Sequence, residues 1–218
     1  MARRVAPLTL ETLDELPLPC RSCVFWELDN VAARDASRNG DTALEKEAWL
    51  SQILLDWGSA GTVLYVDDEP AGFAIYGPAI YLPRVQAFPT APVSSDAVVL
   101  ATGRILPRYI GMGLGKVLVQ GVAKDVLKRG FRALEAFGDS RWSQPSCVWP
   151  TDFLQAVGFT VVREHPRHPR LRLDLRSTLT WRSDVEAAVE RLMGAIRPEP
   201  APPVPSAVRD ALHASEAE

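Results

Sequence analysis

The sequence predicts an α/β fold, because segments with the period of a strand alternate with segments with the period of a helix. Two apolar runs, 62–66 and 71–76, are separated by Asp67-Asp68-Glu69-Pro70, which is the signal of an antiparallel hairpin. A third apolar run, 98–101, leads through a glycine-rich segment into a helical pattern that lasts to Gly130. The length of 218 residues suits one domain of this class with additions.

Capping residues and apolar spacing predict the elements that precede the hairpin. Residues 5–8 predict a short strand, and Thr9 caps a brief helix that runs through Leu16 until a proline stops it. Residues 42–45 have the spacing of a capping box, and the helix that follows ends at Gly58. Its apolar face consists of Trp49, Leu50, Ile53, Leu54 and Trp57.

The same reasoning predicts the elements that follow the hairpin. Residues 83–92 predict a loop. In the helix after the glycines an apolar residue recurs every four positions, at Leu114, Leu118, Val122 and Val126. Gly130 ends this helix, and 131–137 is the next predicted strand. Two more strand-like runs follow, at 160–162 and 171–175.

The C-terminal part of the chain has a separate pattern. Residues 183–186 form another capping box, and an apolar stripe predicts a helix that packs on this sheet or on a partner subunit, so a homodimer is possible. The stripe consists of Val185, Val189, Leu192 and Met193. From Pro198 the chain is rich in proline and alanine, which disfavours regular structure. We therefore expect a domain over 1–180, a helix over 181–197 and a tail over 198–218.

Composition restricts the class of protein. Charged residues make up 23% and hydrophobic residues 47% of the chain, as in ordinary globular proteins. The net charge of −3 offers no basic field that would attract nucleic acid. No apolar stretch has the length of a membrane span, and no apolar signal core follows the first residues. We expect a cytoplasmic protein without nucleic-acid or membrane partners.

The most informative segment is 107–116, which reads Pro-Arg-Tyr-Ile-Gly-Met-Gly-Leu-Gly-Lys between a strand and a helix. Glycines at alternate positions allow several backbone N–H groups to point at one anion, and the helix dipole adds favourable potential there. The spacing fits neither a P-loop nor the dinucleotide fingerprint. An alternative is that the glycines only permit a tight turn.

This segment resembles the acyl-CoA pyrophosphate loop of the GNAT N-acetyltransferases, whose pattern is Gln/Arg-x-x-Gly-x-Gly/Ala. The preferred register places the pattern glycines at Gly113 and Gly115, with Ile110 where the family has Gln or Arg. A shifted register starts the pattern at Arg108. The resemblance implies that acetyl-CoA, as co-substrate, is bound by Ile105, Leu106, Ile110, Gly111, Met112, Gly113, Leu114, Gly115 and Lys116.

A second segment, 153–159, resembles the family's Phe-Tyr-x-x-x-Gly-Phe. Taken alone, its glycine is typical of any helix C-terminus. Together the two segments extend the resemblance over about 60–176. They imply a GNAT fold, that is, a mixed central sheet of about six to seven strands flanked by helices, here with a C-terminal helical extension.

The chemistry that the resemblance implies is attack of an amine on the acetyl thioester within a ternary complex. An amine with a pKa near 10.4 must lose a proton first, and the leaving thiolate must gain one. Where relatives place an acidic Tyr this chain has Leu154, so the candidates are Glu27 as base and Cys147 as acid. Glu135 is a weaker candidate base. Glu27 can equally be a solvated helix residue, and Cys147 a buried packing residue.

The remaining cysteines form the pair Cys20-x-x-Cys23. Zinc sites usually need two such pairs, so we expect no metal. A redox pair is open as an alternative, although no thioredoxin-like unit surrounds it. The resemblance places this segment where the acceptor commonly enters.

The resemblance thus implies an N-acetyltransferase that moves an acetyl group from acetyl-CoA to an amine of a small molecule, peptide or protein. A CoA-binding regulatory or scaffolding protein with decayed catalysis is the alternative, and a metal or thiol sensor built on Cys20 and Cys23 is a third.

Overall fold

A mixed β-sheet forms the centre of the part of the chain that the computed structural model describes, residues 2–143 and 146–175. Its strands are β1 (Arg3–Pro7), β2 (Gly61–Val66), β3 (Glu69–Gly77), β4 (Ala97–Ile105), β5 (Ala133–Asp139), β6 (Trp149–Pro150), β7 (Thr160–Arg163) and β8 (Arg170–Asp174). The order of neighbours is β1-β2-β3-β4-β5-β8-β7, and β6 pairs with β5. The β4–β5 and β5–β6 pairs are parallel, while the other pairs are antiparallel.

Helices cover both faces of this sheet. They are α1 (Leu10–Leu13), α2 (Asn30–Asn39), α3 (Thr42–Asp56), α4 (Leu114–Lys128) and α5 (Thr151–Ala156), with short 3-10 turns at Cys20–Ser22, Ala79–Tyr81, Pro83–Ala87 and Pro107–Tyr109. Among the described residues, no helix combines the length and the apolar character needed to span a membrane. The predicted helix 181–197 and tail 198–218 lie outside the described residues.

Alternation along the strands divides the apolar side chains between two cores. In β4, Val98 and Leu100 face the core that contains α4 and α5, whereas Val99 and Ala101 face the core that contains α1 and α3. This alternation follows from the period of two in a strand, and burial on both faces explains why β2 to β5 read as nearly continuous apolar runs.

The predicted hairpin is confirmed, and its turn is tighter than the spacing suggested. β2 and β3 are antiparallel, and only Asp67 and Asp68 separate them. Both residues have positive φ, 49° and 65°, as a two-residue hairpin turn with the twist of its strands requires. Asp tolerates this conformation better than most residues with a Cβ.

The strands β4 and β5 stay together for only three residue pairs, Ala97–Ala133 to Val99–Glu135. Beyond Val99, β4 continues along β3 to Ile105, while β5 continues along β8. A bulge at Ala101 bends β4 here, because Ile75 pairs with Thr102 and Tyr76 pairs with Leu100. The two parallel strands therefore diverge, and a cleft opens between them.

Two helix predictions need correction. Thr42 is the first residue of α3 and not its cap, because α2 occupies the preceding segment and the chain re-enters a helix directly after Gly40. α2 itself was not predicted, although Asp29 caps it by accepting from the N–H groups of Val31 and Ala32. The predicted cap at Thr9 is confirmed, but α1 ends at Leu13.

Candidate functional site

The glycine-rich segment leads from the diverging end of β4 into α4. Gly111 and Gly113 have φ of +84° and +71°, and a Cβ at either position would meet no atom within 4 Å. Gly113 is the N-cap of α4, so no side chain caps the first N–H groups of this helix. A turn made of left-handed glycines leaves an open space before an uncapped helix N-terminus, which is an arrangement suited to an anion.

Gly115 has a different role, because it packs against α5. A Cβ at this position would lie 2.8 Å from the ring of Phe153, so only glycine permits this close approach. The ring of Phe153 stacks on that of Trp149, with centroids 5.3 Å apart. The two segments that carried the family resemblance are therefore in direct contact.

Trp149 also lies against β4 at the cleft. Its ring contacts Gly103, where a Cβ would clash with it, and its side chain is buried. The Nε1–H group has no hydrogen-bond partner among the described residues. Buried donors usually have a hydrogen-bond partner in folded proteins.

The glycine turn and Trp149 lie on the α4 side of β4. The other side of β4 borders a second compartment of the cleft, with about 350 Å³ of empty space that is partly open to solvent. β3, β4, the segment around 20–27, α3 and the segment around 146–147 form its walls. The residues that line it are Cys20, Cys23, Trp26, Glu27, Lys46, Phe73, Ile75, Thr102, Gly103, Arg104, Ser146 and Cys147. Glu27 and Cys147, the two predicted catalytic residues, are both in this wall.

Glu27 is not a solvated helix residue. Its side chain is 2% exposed and forms an ion pair with Lys46, which is 1% exposed. The backbone N–H of Trp26 donates to the second carboxylate oxygen at 3.0 Å, and Lys46 also donates to the carbonyl of Cys23 at 3.1 Å. A buried charge of each sign is thus compensated by the other and by backbone groups.

Cys147 meets Cys23, with 3.4 Å between the two sulfur atoms. The hydrogen bond between the two thiols lowers the pKa of Cys23 to about 6, and the same bond raises the pKa of Cys147 far above its usual value. Burial raises the pKa of Cys20, which lies in the same wall. This contact therefore favours the thiolate at Cys23 and the protonated thiol at Cys147.

The other predicted residues lie as follows. Ile105 ends β4, and the N–H of Leu106 donates to the carbonyl of Ala71 at 2.9 Å. Ile110 is 70% exposed beside the glycine turn. Glu135 lies outside the cleft lining, fully buried between Arg170 and Arg172.

Several residues of the cleft were not predicted as site residues. Lys46 lies three residues before Trp49 and seven before Ile53, which places it on the apolar face of the helix. A charged residue on that face is the sequence signal that could have identified Lys46. No comparable sequence signal identifies the other four residues, Thr102, Arg104, Ser146 and Trp149. Among the described residues, no group of three or more His, Cys, Asp or Glu side chains is arranged to hold a metal ion.

Comparison with known proteins gives a fold. No family model matches this chain, and no curated protein matches it in sequence. A similar structure is that of the PaiA N-acetyltransferase from Thermoplasma acidophilum in complex with coenzyme A, which is 13% identical with a TM-score of 0.53 and covers 80% of this chain and 99% of its own. A second structure, named as an acetyltransferase, is 15% identical with a TM-score of 0.50 and covers 79% of this chain and 99% of its own.

The chain has the fold of the GNAT N-acetyltransferases. The prediction of a mixed sheet flanked by helices is confirmed. The sheet has one strand more than predicted among the described residues, because the two-residue β6 joins β5.

Proposed function

We propose that this protein is an acyltransferase that moves the acetyl group of acetyl-CoA to an amine by direct attack in a ternary complex. The observation that carries the proposal is the uncapped N-terminus of α4 behind the left-handed Gly111 and Gly113, at the point where β4 and β5 diverge. Such a terminus suits a pyrophosphate. The fold, which it shares with a structure crystallised with coenzyme A, supports the same assignment.

In this proposal the acyl-CoA occupies the α4 side of the cleft. The turn 110–116 binds the pyrophosphate through backbone N–H groups, so that Ile110 contributes no side-chain hydrogen bond. The part of β4 near Ile105 and Leu106 lies along the acyl-bearing arm. Since the N–H of Leu106 is bonded to Ala71, the groups that meet the arm come from the side of β4 that faces away from β3. The unpartnered N–H of Trp149 is a further donor close to this strand.

The amine enters from the compartment on the other face of β4. Glu27 is the proposed base, and Lys46 is its positioning residue, because their ion pair fixes the carboxylate in the wall. Cys147 is the proposed acid, since its thiol lines the same pocket as Glu27 and has a proton that a leaving thiolate can take. Attack on the thioester carbonyl, loss of a proton to Glu27 and protonation of the leaving thiolate by Cys147 transfer the acetyl group. Release of the proton from Glu27 to solvent and uptake of one by Cys147 then restore the enzyme.

A second candidate function is supported by one observation. The carboxylate of Glu27 is already engaged by Lys46 and by the N–H of Trp26, which is the arrangement of a structural ion pair. Leu154, at the position of the family's acidic Tyr, is fully buried in the core. A CoA-binding regulatory or scaffolding protein without catalysis would have these features. The amine acceptor, a homodimer and a cytoplasmic location remain predictions.

Titration calorimetry with acetyl-CoA tests the binding step, and the chain offers a matched control. Gly113→Ala places a Cβ in the left-handed conformation at the proposed site, while Gly40→Ala does so at the end of α2, outside the cleft lining. Both positions are open and have similar φ, so their intrinsic strain is similar. We expect weaker acetyl-CoA binding for Gly113→Ala only. Equal affinity in the two variants would contradict the assignment of the turn.

Release of CoA thiol with a panel of amines tests catalysis. Glu27→Gln and Lys46→Gln both break the buried pair, but only the first removes the carboxylate. We expect Glu27→Gln to lower kcat by about 10²- to 10⁴-fold, the usual effect of losing a general base, and Lys46→Gln to lower it less. If both variants lose kcat to the same extent, Glu27 has a structural role and is not the base. Binding of acetyl-CoA without any thiol release would favour the second candidate function.

A further inference from the structure

Two cysteines that are 124 residues apart in sequence meet in the wall of the cleft. The sulfur atoms of Cys23 and Cys147 are 3.4 Å apart, and both side chains are half-buried beside an opening to solvent. Cys23 follows the 3-10 turn Cys20–Ser22, and Cys147 precedes β6. A disulfide has a sulfur–sulfur distance of about 2.05 Å, so a small movement of either segment would bring these atoms within bonding distance.

The surroundings favour one of the two sulfurs as the nucleophile. The thiols of Cys23 and Cys147 share a hydrogen bond, and this bond is the main reason for the low pKa of Cys23. The other charged or titratable groups that line the same pocket are Cys20, Glu27, Lys46 and Arg104, of which Lys46 stabilises and Glu27 disfavours a thiolate at Cys23. A half-exposed thiolate next to a second thiol is the arrangement of reactive cysteine pairs.

We propose that Cys23 and Cys147 are a site of reversible oxidation, in which a peroxide converts the two thiols into one disulfide across the cleft. The thiolate of Cys23 attacks one peroxide oxygen, the oxygen–oxygen bond breaks, and the leaving oxygen takes a proton to form water or an alcohol. Cys23 is then a sulfenic acid. The sulfur of Cys147 displaces its hydroxyl group, a second water molecule leaves with the thiol proton, and the disulfide forms. The two sulfurs lose two electrons, which reduce the peroxide.

The pairing differs from the one that the sequence spacing suggests. Cys20 begins the 3-10 turn that Cys23 follows, and burial raises the pKa of the Cys20 thiol. The partner with a sulfur contact is Cys147. Cys20 therefore serves as an internal control that shares the segment and the cleft.

Closure of this disulfide would alter the site. It would consume the Cys147 thiol and link the segment around 146–148 covalently to the segment around 20–27. The second segment already accepts a hydrogen bond from Lys46 at the Cys23 carbonyl, and Trp26 Nε1 donates to the Cys147 carbonyl. A loss of acetyl transfer on oxidation is a consequence that rests on the proposed function. The disulfide itself does not depend on it.

Mass spectrometry of the full-length protein tests the proposal without any substrate. The protein is treated with a small excess of hydrogen peroxide, its free thiols are alkylated, and it is digested with trypsin. Cleavage after Arg4, Arg21, Arg34, Arg141 and Arg163 places Cys20, Cys23 and Cys147 in the separate peptides 5–21, 22–34 and 142–163. We expect a disulfide-linked pair of 22–34 with 142–163, loss of two of the three alkylatable thiols, and recovery of both on reduction with dithiothreitol.

Single variants complete the experiment. Cys23→Ser and Cys147→Ser should abolish the cross-link, while Cys20→Ser should form it to the same extent as the wild-type chain. A cross-link between 5–21 and 22–34, three unchanged thiols after peroxide, or one equivalent of zinc on thiols that stay unmodified would each overturn the proposal. If the reduced protein shows no acetyl transfer with any amine but forms the cross-link with peroxide, only the proposed function is contradicted.

Discussion

Glu27 and Lys46 are buried together in the wall of the cleft, and burial determines what their loss would cost. Removal of one partner leaves the other charge without compensation, which typically costs about 3–5 kcal/mol. We expect Glu27→Gln and Lys46→Met each to lower the free energy of unfolding by that order. The double variant should lose much less than the sum, because neither charge is then left alone.

Urea denaturation of the wild type, Glu27→Gln, Lys46→Met and the double variant gives the coupling energy between Glu27 and Lys46. The exposed pair Arg108–Glu69 is the control, with side chains that are 58% and 66% exposed. Glu69→Gln should change stability by about 1 kcal/mol at most, as is usual for surface pairs. Additive effects of the two buried substitutions would show that Glu27 and Lys46 are not coupled.

At the residue scale, the sequence was sufficient to identify single residues with reactive side chains, but not the side chains that contact them. Glu27 and Cys147 were singled out, and the fold brings both to one cleft. The contacts of Cys147 with Cys23 and of Glu27 with Lys46 could not be predicted, because they join segments whose approach depends on the packed sheet. Local spacing contains no information on such distant pairs.

At the scale of elements, the contact between α4 and α5 through Gly115 and Phe153 is open to a direct test. Gly115→Ala introduces a methyl group 2.8 Å from the Phe153 ring, and overpacking of this kind costs typically about 1–3 kcal/mol. We expect a lower melting temperature for Gly115→Ala, and partial recovery when Phe153→Leu is added, because the smaller side chain can move away. If Phe153→Leu only adds to the destabilisation, a clash with the Phe153 ring is not the cause of the loss of stability in Gly115→Ala.

Most elements were predictable because their signals are local. The hairpin turn, the cap at Thr9 and the four-residue repeat of α4 are all properties of a few neighbouring residues. α2 was missed since it is largely polar, and its start at Asp29 was the remaining signal. The divergence of β4 from β5 is invisible in sequence, because it depends on which strands pair.

At the scale of the whole domain, an ion-pair network joins β8 to the start of β4 and to β5. Arg172 donates to both oxygens of Asp96, at 3.0 and 2.9 Å, and also to Glu135. The bond from Arg172 lowers the pKa of Asp96 in the folded protein. The stability that this pair contributes is therefore present above the unfolded pKa of about 3.9 and is lost as the pH falls through the folded value.

Asp96→Asn tests this linkage. We expect it to lower the free energy of unfolding near neutral pH by about 1 kcal/mol or less, because the Asp96 side chain is 40% exposed. The difference from the wild type should shrink as the pH falls below about 4 and through the lower pKa of folded Asp96, beneath which Asp96 is neutral in both states. Denaturation curves at several pH values decide it, and a difference that grows towards acid would contradict the assigned sign.

The early separation of β4 from β5 has a consequence for amide hydrogen exchange. From Leu100 to Ile105, β4 is hydrogen-bonded as a strand to β3 alone among the described residues, and Thr102 to Ile105 are only half-buried. Amide hydrogens on the side that faces the cleft should therefore exchange with solvent deuterium faster than those directed at β3. A ligand that pairs with this edge would slow them selectively, so exchange along one strand can report the occupied cleft even when no reaction takes place.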